Sequence, residues 1–155
     1  MHTPAARPQT SGTLRTRIRY CECDPMGVAH HAAYAPWLEM GRTELLRTSG
    51  VSYAQLESAS VFLVVVQLEV KYRRPILYDD VIEIQTRVTG GGRVKITHEY
   101  DLVLAERTPG SHTGRAAMMA ASAQVGESLA TARTIIACVG AEGTIQPLPE
   151  WLVGD

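Results

Sequence analysis

The sequence predicts an α+β fold, with one long helix lying across a strongly curved antiparallel sheet of about five strands. Three observations lead there. A single stretch, Tyr34 to Ser49, sets Tyr34, Trp37, Leu38, Gly41, Leu45 and Thr48 on one face at helical spacing. Several other stretches alternate apolar and polar residues as half-buried strands do. Short segments rich in Gly, Asp and Pro join them. One helix covers that much sheet only by crossing its concave side.

Taken in order, Leu14 to Tyr20 alternates Arg15, Arg17 and Arg19 with Leu14, Thr16, Ile18 and Tyr20, a short strand with one basic face. Strand propensity stops at Cys21, and Asp24-Pro25-Met26-Gly27 is a strong type I turn signal. In the helix from Tyr34, Pro36 is tolerated in a first turn and Gly50 can close the C-terminus. Val51 to Ser60 is a connector with room for a helical turn. Val61 to Lys71 is a β-branched strand, buried at its start and alternating later. Asp79-Asp80 marks a turn. In Val81 to Val88, Ile82, Ile84, Thr86 and Val88 share a face. Gly90 to Gly92 forms a hairpin loop, and Val94 to Leu104 puts Val94, Ile96, His98, Tyr100, Leu102 and Leu104 on one side. Thr108 to Gly114 is a loop, and the Ala- and Met-rich segment Arg115 to Val125 fits strand and helix equally. Glu127 to Ala130 reads as a turn, Thr131 to Val139 as the last strand, and Pro147 to Trp151 as a short apolar anchor. The opposite sheet face also carries Val61, Val65, Val103 and one of Ile135 and Ile136. Oligomerisation is the economical way to bury them.

The chain has 155 residues, the size of one domain. Residues 1–12 are expected to be a flexible tail and residues 13–152 the folded domain. The tail has no apolar core of the signal-peptide type. With 15 basic and 16 acidic residues, the net charge of −1 excludes the basic field of a nucleic-acid binder. No apolar run reaches the length of a membrane span. The three cysteines, Cys21, Cys23 and Cys138, are an odd number and fit no disulfide framework, so a reducing, cytoplasmic setting is expected. Cys21 and Cys23 followed by His30 and His31 lack the spacing of a structural zinc site. No metal or cofactor is expected.

The segment YCECDPMGVAHHAAYAPWLEMGRTELLRTSG, Tyr20 to Gly50, closely resembles the opening of the 4-hydroxybenzoyl-CoA thioesterase-like branch of the hotdog-fold thioesterases. The family pattern, roughly D-x-x-G-(V/I)-(V)-x-(H/Y)-x-N-Y-x-x-(W/F)-(F/L)-E-x-x-R, falls on Asp24, Gly27, Val28, His31, Tyr34, Trp37, Leu38, Glu39 and Arg42. Downstream, LEVKYRRPILYDDVIEIQTRV, the Gly-rich turn with Arg93, the strand Ala132 to Val139 and the closing PLPEWL also look like this family. Two departures stand out. Ala33 replaces the family's usual Asn, which removes a polar contact at the mouth of the helix. Thr108 to Thr131 is longer than the corresponding hairpin and could form a lid, lengthen a strand pair or reshape an acyl pocket.

The resemblance implies a single hotdog domain that hydrolyses acyl-thioesters, either acyl-CoA or an acyl group on a carrier protein. It also implies a homo-oligomer (a dimer, or a homotetramer) with sites between subunits. A thioester needs no strong general acid, because its leaving thiolate is stable. It needs a carboxylate to attack or to activate water, and donors for the carbonyl oxygen. Asp24 is the expected carboxylate, although an Asp at the head of an Asp-Pro turn is often only a turn cap. The resemblance implies that the N–H of His31, at the unsatisfied start of the helix, faces the thioester carbonyl. The His31 imidazole is a candidate for a hydrogen bond to the substrate or for orienting it. Gly27, Val28 and Tyr34 are candidate substrate contacts. Arg93 is the candidate for the CoA phosphates, with Arg73, Arg74 and Lys95 as further basic residues. Glu39 is the backup catalytic carboxylate, and an ion pair with Arg42 is its plainer role. The alternatives are a non-catalytic module that binds acyl-thioesters and a carrier-specific polyketide thioesterase.

Overall fold

Alternation along the strands sorts the sheet into two faces, and α1 lies across one of them. The computed structural model describes residues 8–152. In chain order it has β1 (Ser11–Arg17), a 3-10 turn at Tyr20–Glu22, α1 (His31–Thr48), α2 (Tyr53–Ser58), β2 (Phe62–Tyr72), β3 (Val81–Gly91), β4 (Lys95–Glu106), α3 (Gly114–Ala120) and β5 (Ser128–Val139). The five strands form one sheet in the order β1-β3-β4-β5-β2, and every pairing is antiparallel. Directly opposed residues share a face. Leu14 faces Ile84, which faces Leu102, which faces Ala130, and this row lies under the helix. Trp37 and Leu38 of α1 are wholly buried with Ile82, Ile84, Leu102 and Ala130 in the main core. Among the described residues no helix is long and apolar enough to cross a membrane.

Helix α1 begins at His31 and not at Tyr34. His30 caps it, its Nδ1 accepting the Ala32 N–H at 3.1 Å. Pro36 therefore sits in the second turn, where it cannot donate to the Ala32 carbonyl. The buried face holds Tyr34, Trp37, Leu38, Gly41 and Leu45 as expected, but Thr48 is exposed and Arg42 is buried in its place. Gly41 sets the distance to the sheet: a Cβ there would lie 2.5 Å from Thr86 Oγ1 and 2.9 Å from Ile84 Cγ2.

The other boundaries shift for reasons of pairing. β1 starts at Ser11, so Ser11 and Gly12 belong to the sheet, while residues 1–7 of the expected tail lie outside the described residues. The turn expected at Glu127 to Ala130 is largely strand. Leu129 and Ala130 are fully buried, and Ala130 is paired on both sides, to Leu102 and to Tyr72. β3 continues through Gly91, and the hairpin closes with Gly92 N–H on the Lys95 carbonyl at 2.9 Å, leaving Val94 outside β4. Of the ambiguous segment Arg115 to Val125, the part through Ala120 is helical and the rest is turn and loop.

A buried ion pair fixes the corner beneath α3. Arg107 holds Asp80 through two hydrogen bonds, of 2.8 and 2.7 Å. It also donates to the carbonyls of Ala120 and Pro75. Asp80 is fully buried and accepts the Leu77 N–H as well.

The two sheet edges differ. On the β1 edge, Arg15 and Arg17 pair with Glu83, Glu106 and Asp79 in a ladder of exposed charges. The β2 edge carries Val64, Val65, Val66 and Leu68, all substantially exposed, with a register shift between Val65 and Gln67. Of the second-face residues named from the sequence, Val65 is exposed and Val103 and Ile135 are half-buried. Val61 and Ile136 are buried within the subunit.

Candidate active site

The Asp-Pro turn forms because its own carboxylate and backbone close it. Gly27 N–H donates to the Asp24 carbonyl at 2.9 Å, with Gly27 at φ +75°, a conformation that favours glycine. Asp24 Oδ1 accepts the N–H groups of Met26 at 2.8 Å and Val28 at 3.3 Å. The turn cap is therefore real, and it uses one oxygen. Among the described residues Asp24 Oδ2 has no hydrogen-bond partner. The turn is sewn to the strand approach by Ala29 N–H on the Ile76 carbonyl and Tyr78 N–H on the Gly27 carbonyl. From the other side α3 rests on it, since a Cβ on Gly27 would stand 3.2 Å from that of Ala116.

Glu22 joins this bend to the helix. Its Oε1 accepts the Trp37 indole N–H at 2.9 Å and the Arg19 guanidinium at 2.9 Å, and its Oε2 accepts the Arg19 N–H at 2.7 Å. Burial alone would raise its carboxyl. The hydrogen bonds from Arg19 and Trp37, with the Arg19 charge, outweigh that and hold it below the ordinary glutamate range. The sequence reading missed Glu22; the one available signal was an acid three residues after an Arg at a strand end. Cys23 is no nucleophile at neutral pH. Burial, then the charges of Glu22, Asp24 and Asp80, push its thiol up to about 11.

At the start of α1, His30 N–H donates to the Glu22 carbonyl, and the Ala32 and Ala33 N–H groups are taken by His30 itself. Among the described residues the His31 N–H has no partner. His31 borders a shallow cleft of about 420 Å³ that Asp24, Val28 and Tyr34 also line. Tyr72 of β2 closes one wall, edge-on to Tyr34 with ring centroids 4.9 Å apart, and Arg73, Arg74 and Pro75 form the rim. Burial first, then the neighbouring Tyr72, raises the Tyr34 hydroxyl above its usual range, so it stays a neutral phenol.

The remaining candidates are placed elsewhere. Gly27 shapes the turn but does not line the cleft. Glu39 is exposed on α1 and pairs with Arg42 at 3.3 Å, its plainer role. Arg93 lies in the β3–β4 turn, where its carbonyl accepts the Leu148 N–H, and does not line the cleft. Within one subunit the arginines that line the cleft with Asp24 are Arg73 and Arg74. Cys21 is exposed, and among the described residues no three His, Cys, Asp or Glu side chains gather as a metal site.

Comparison with known proteins agrees with this architecture. The family model described as the thioesterase-like superfamily matches residues 18–154. YbgC of Escherichia coli, an acyl-CoA thioester hydrolase, is 36% identical over 92 residues, covering 59% of this chain and 69% of that protein. YneP of Bacillus subtilis, whose name marks it as a candidate acyl-CoA thioesterase, is 32% identical over 85 residues; the match spans 55% of this chain and only 62% of that relative. The crystal structure of a DHNA-CoA thioesterase from Staphylococcus aureus superposes with a TM-score of 0.70 at 26% identity, over 89% of this chain and 79% of that one.

Proposed function

Because this chain belongs to the thioesterase-like superfamily, we propose that it hydrolyses acyl-thioesters, acyl-CoA or an acyl group on a carrier protein, with Asp24 as the catalytic carboxylate. The observation that carries this reading is a shared space. The unengaged carboxylate oxygen of Asp24 and the unpartnered N–H at His31 belong to residues that border the same cleft. A thioester carbonyl in that cleft would have its oxygen on the His31 N–H, where the helix's unsatisfied donors and positive end favour developing negative charge. Asp24 then acts on the carbonyl carbon by one of two routes. In the first it attacks directly, forming a mixed anhydride and releasing the thiolate, and water then splits the anhydride. In the second it takes a proton from a water that attacks, and the thiolate leaves as the tetrahedral intermediate collapses. A free thiol has a pKa near ~8.5, so the leaving group needs little help.

The other site residues take supporting parts. Val28 and Tyr34 bound the acyl side of the cleft, Gly27 permits the turn, and the His31 imidazole orients the substrate. Arg73 and Arg74 stand where the phosphates of CoA or of a carrier's prosthetic arm would pass. The cleft reaches β2 through Tyr72, and β2 is an edge strand with exposed Val64 and Val66. A second copy pairing along that edge would wall it in, and Arg93 could then reach the site from the partner.

The test is a panel of short, long and aromatic acyl-CoA and carrier-bound substrates with a thiol reagent. Turnover is expected on part of the panel. In Asp24→Asn, which keeps the turn-capping oxygen, kcat should fall by about 10²–10⁴ with an unchanged melting temperature. Flat traces across the panel would refute hydrolysis, and tight binding without turnover would point to the binding-module alternative. Turnover of carrier-bound substrates alone would make this a carrier-specific enzyme. Loss of activity in Glu39→Gln but not in Asp24→Asn would move the catalytic role to Glu39. Oxygen-18 water tests the first route, because label enters the Asp24 carboxylate only when a mixed anhydride forms and water opens it at the aspartyl carbon.

A further inference from the structure

The turn that carries Asp24 and the helix end that offers the His31 N–H are separate elements, and one side chain spans them. Glu22 ends the 3-10 turn, two residues before Asp24. Its side chain is only 10% exposed. Oε1 accepts the Trp37 indole N–H and the Arg19 guanidinium, and Oε2 accepts the Arg19 backbone N–H. The Glu22 carbonyl accepts the His30 N–H at 2.8 Å, immediately before α1. Trp37 is wholly buried in the core under α1, so its indole N–H needs a partner inside the protein.

Asp24 has no tie of its own to the helix. Its N–H donates to the Val28 carbonyl at 2.9 Å, and the turn is fastened to the strand approach at Ile76 and Leu77. Between residues 20–29 and residues 31–48, the Trp37–Glu22 bond is the one hydrogen bond among the described residues. A capping box for the short turn uses only Oε2 and the Arg19 N–H. The other oxygen is committed to α1. Only a carboxylate serves both sides, because every group that meets it is a donor. A Gln has one acceptor oxygen, so its amide N–H would face a donor and leave one of them unsatisfied. Burial opposes the charge of Glu22, but the bonds from Arg19 and Trp37 outweigh it and keep the acid ionised at neutral pH.

We propose that Glu22 is a positioning residue for thioester hydrolysis: through its bond to Trp37 it sets where the Asp24 carboxylate stands relative to the His31 N–H. That role rests on Asp24 and the His31 N–H acting together on a thioester. Glu22 does not line the cleft, so it works through those two groups and not on the substrate. Its loss should therefore be felt in kcat and hardly in KM. A misplacement of about 1 Å costs a rate on the order of 10²-fold.

Steady-state kinetics on an acyl-thioester that the unaltered full chain turns over tests it. Glu22→Gln should lower kcat by about 10–10² with KM nearly unchanged. Glu22→Asp keeps the charge but is one methylene short of Trp37; it should lower kcat by about tenfold or more, and it stands in if Glu22→Gln does not fold. Added to Asp24→Asn, either change should lower kcat little further, because residues that act as a unit are not additive. A role in folding alone would instead multiply the two losses. Flat traces for the unaltered protein across the acyl-thioester panel overturn the hydrolase reading and this role with it. Turnover that Asp24→Asn abolishes, but that folded Glu22→Gln or Glu22→Asp carries out at the unaltered kcat, overturns the positioning role alone. So does a double variant whose loss is the product of the single ones.

Discussion

Asp24 divides its carboxylate between two tasks, so what replaces it decides what an experiment measures. Ala would remove turn cap and catalyst together, whereas Asn keeps the acceptor that holds Met26 and Val28 in place. The second donor can be isolated in the same way. His31 is the first residue of α1, a position where Pro is favoured because the helix does not use that N–H. His30 before it is extended (φ −66°, ψ 142°), as a residue preceding Pro must be. His31→Pro should therefore leave the melting temperature nearly unchanged and lower kcat by about 10²–10³, read by steady-state kinetics beside a His31→Ala control that retains the N–H. His98 gives a pH signature. Unfolded, its imidazole takes a proton below about 6.5; folded, it resists down to about 4. Protons thus favour the unfolded chain in that interval. Stability is full above pH 6.5 and falls as pH drops toward 4, by on the order of 3 kcal/mol from this residue. Urea melts should show that slope, and His98→Gln should flatten it. The alternation in β4 already put His98 on the inner face. Arg42 was not legible as buried, because helical spacing allows it inside while its charge argues against it.

At the scale of elements, the contact between α1 and β3 is set by the absence of a side chain. Gly41→Ala would press a methyl group onto Thr86 and Ile84. Neither can retreat, because both lie on a strand paired on two sides. The expected cost is about 1–3 kcal/mol, measured by denaturant unfolding, with Gly92→Ala, which meets open space, as the control. The periodicities of α1, β3 and β4 were legible because each reports burial of its own residues. The run Val61 to Lys71, expected to be buried at its start and alternating later, is instead an edge strand exposed from Val64 through Glu69. Three boundaries were not legible, one decided by an adjacent cap and two by distant partners. α1 starts early because His30 caps it, β5 starts early because Ala130 is paired to both β4 and β2, and α3 lies where Arg107 holds the carbonyl of Ala120. The Arg107–Asp80 pair joins residues that local pattern cannot connect; Asp80 reads only as part of a turn.

For the whole molecule, the sheet has one edge that remains apolar. Val66 at the β2 irregularity is 52% exposed and Tyr72 on the same strand is 57% exposed, an exposure that pairing with a second copy would relieve. Val66→Lys should convert an oligomer to monomers in light scattering. Because Tyr72 and Arg73 border the Asp24 cleft, thioester turnover should fall with it. An unaltered protein that is monomeric at the assay concentration would refute the shared-edge arrangement. Burial on both faces of a strand suggested assembly from the sequence; which edge is bare required the strand order. The opposite margin has the contrary character. There the outermost strand holds arginines already matched to Glu83, Glu106 and Asp79 of the same chain. Two sheets fused at their bare margins would present these charged ribs at both outer ends, and strand addition would stop after a single event. The same polarity that invites a partner protects the chain from polymerising into a ribbon.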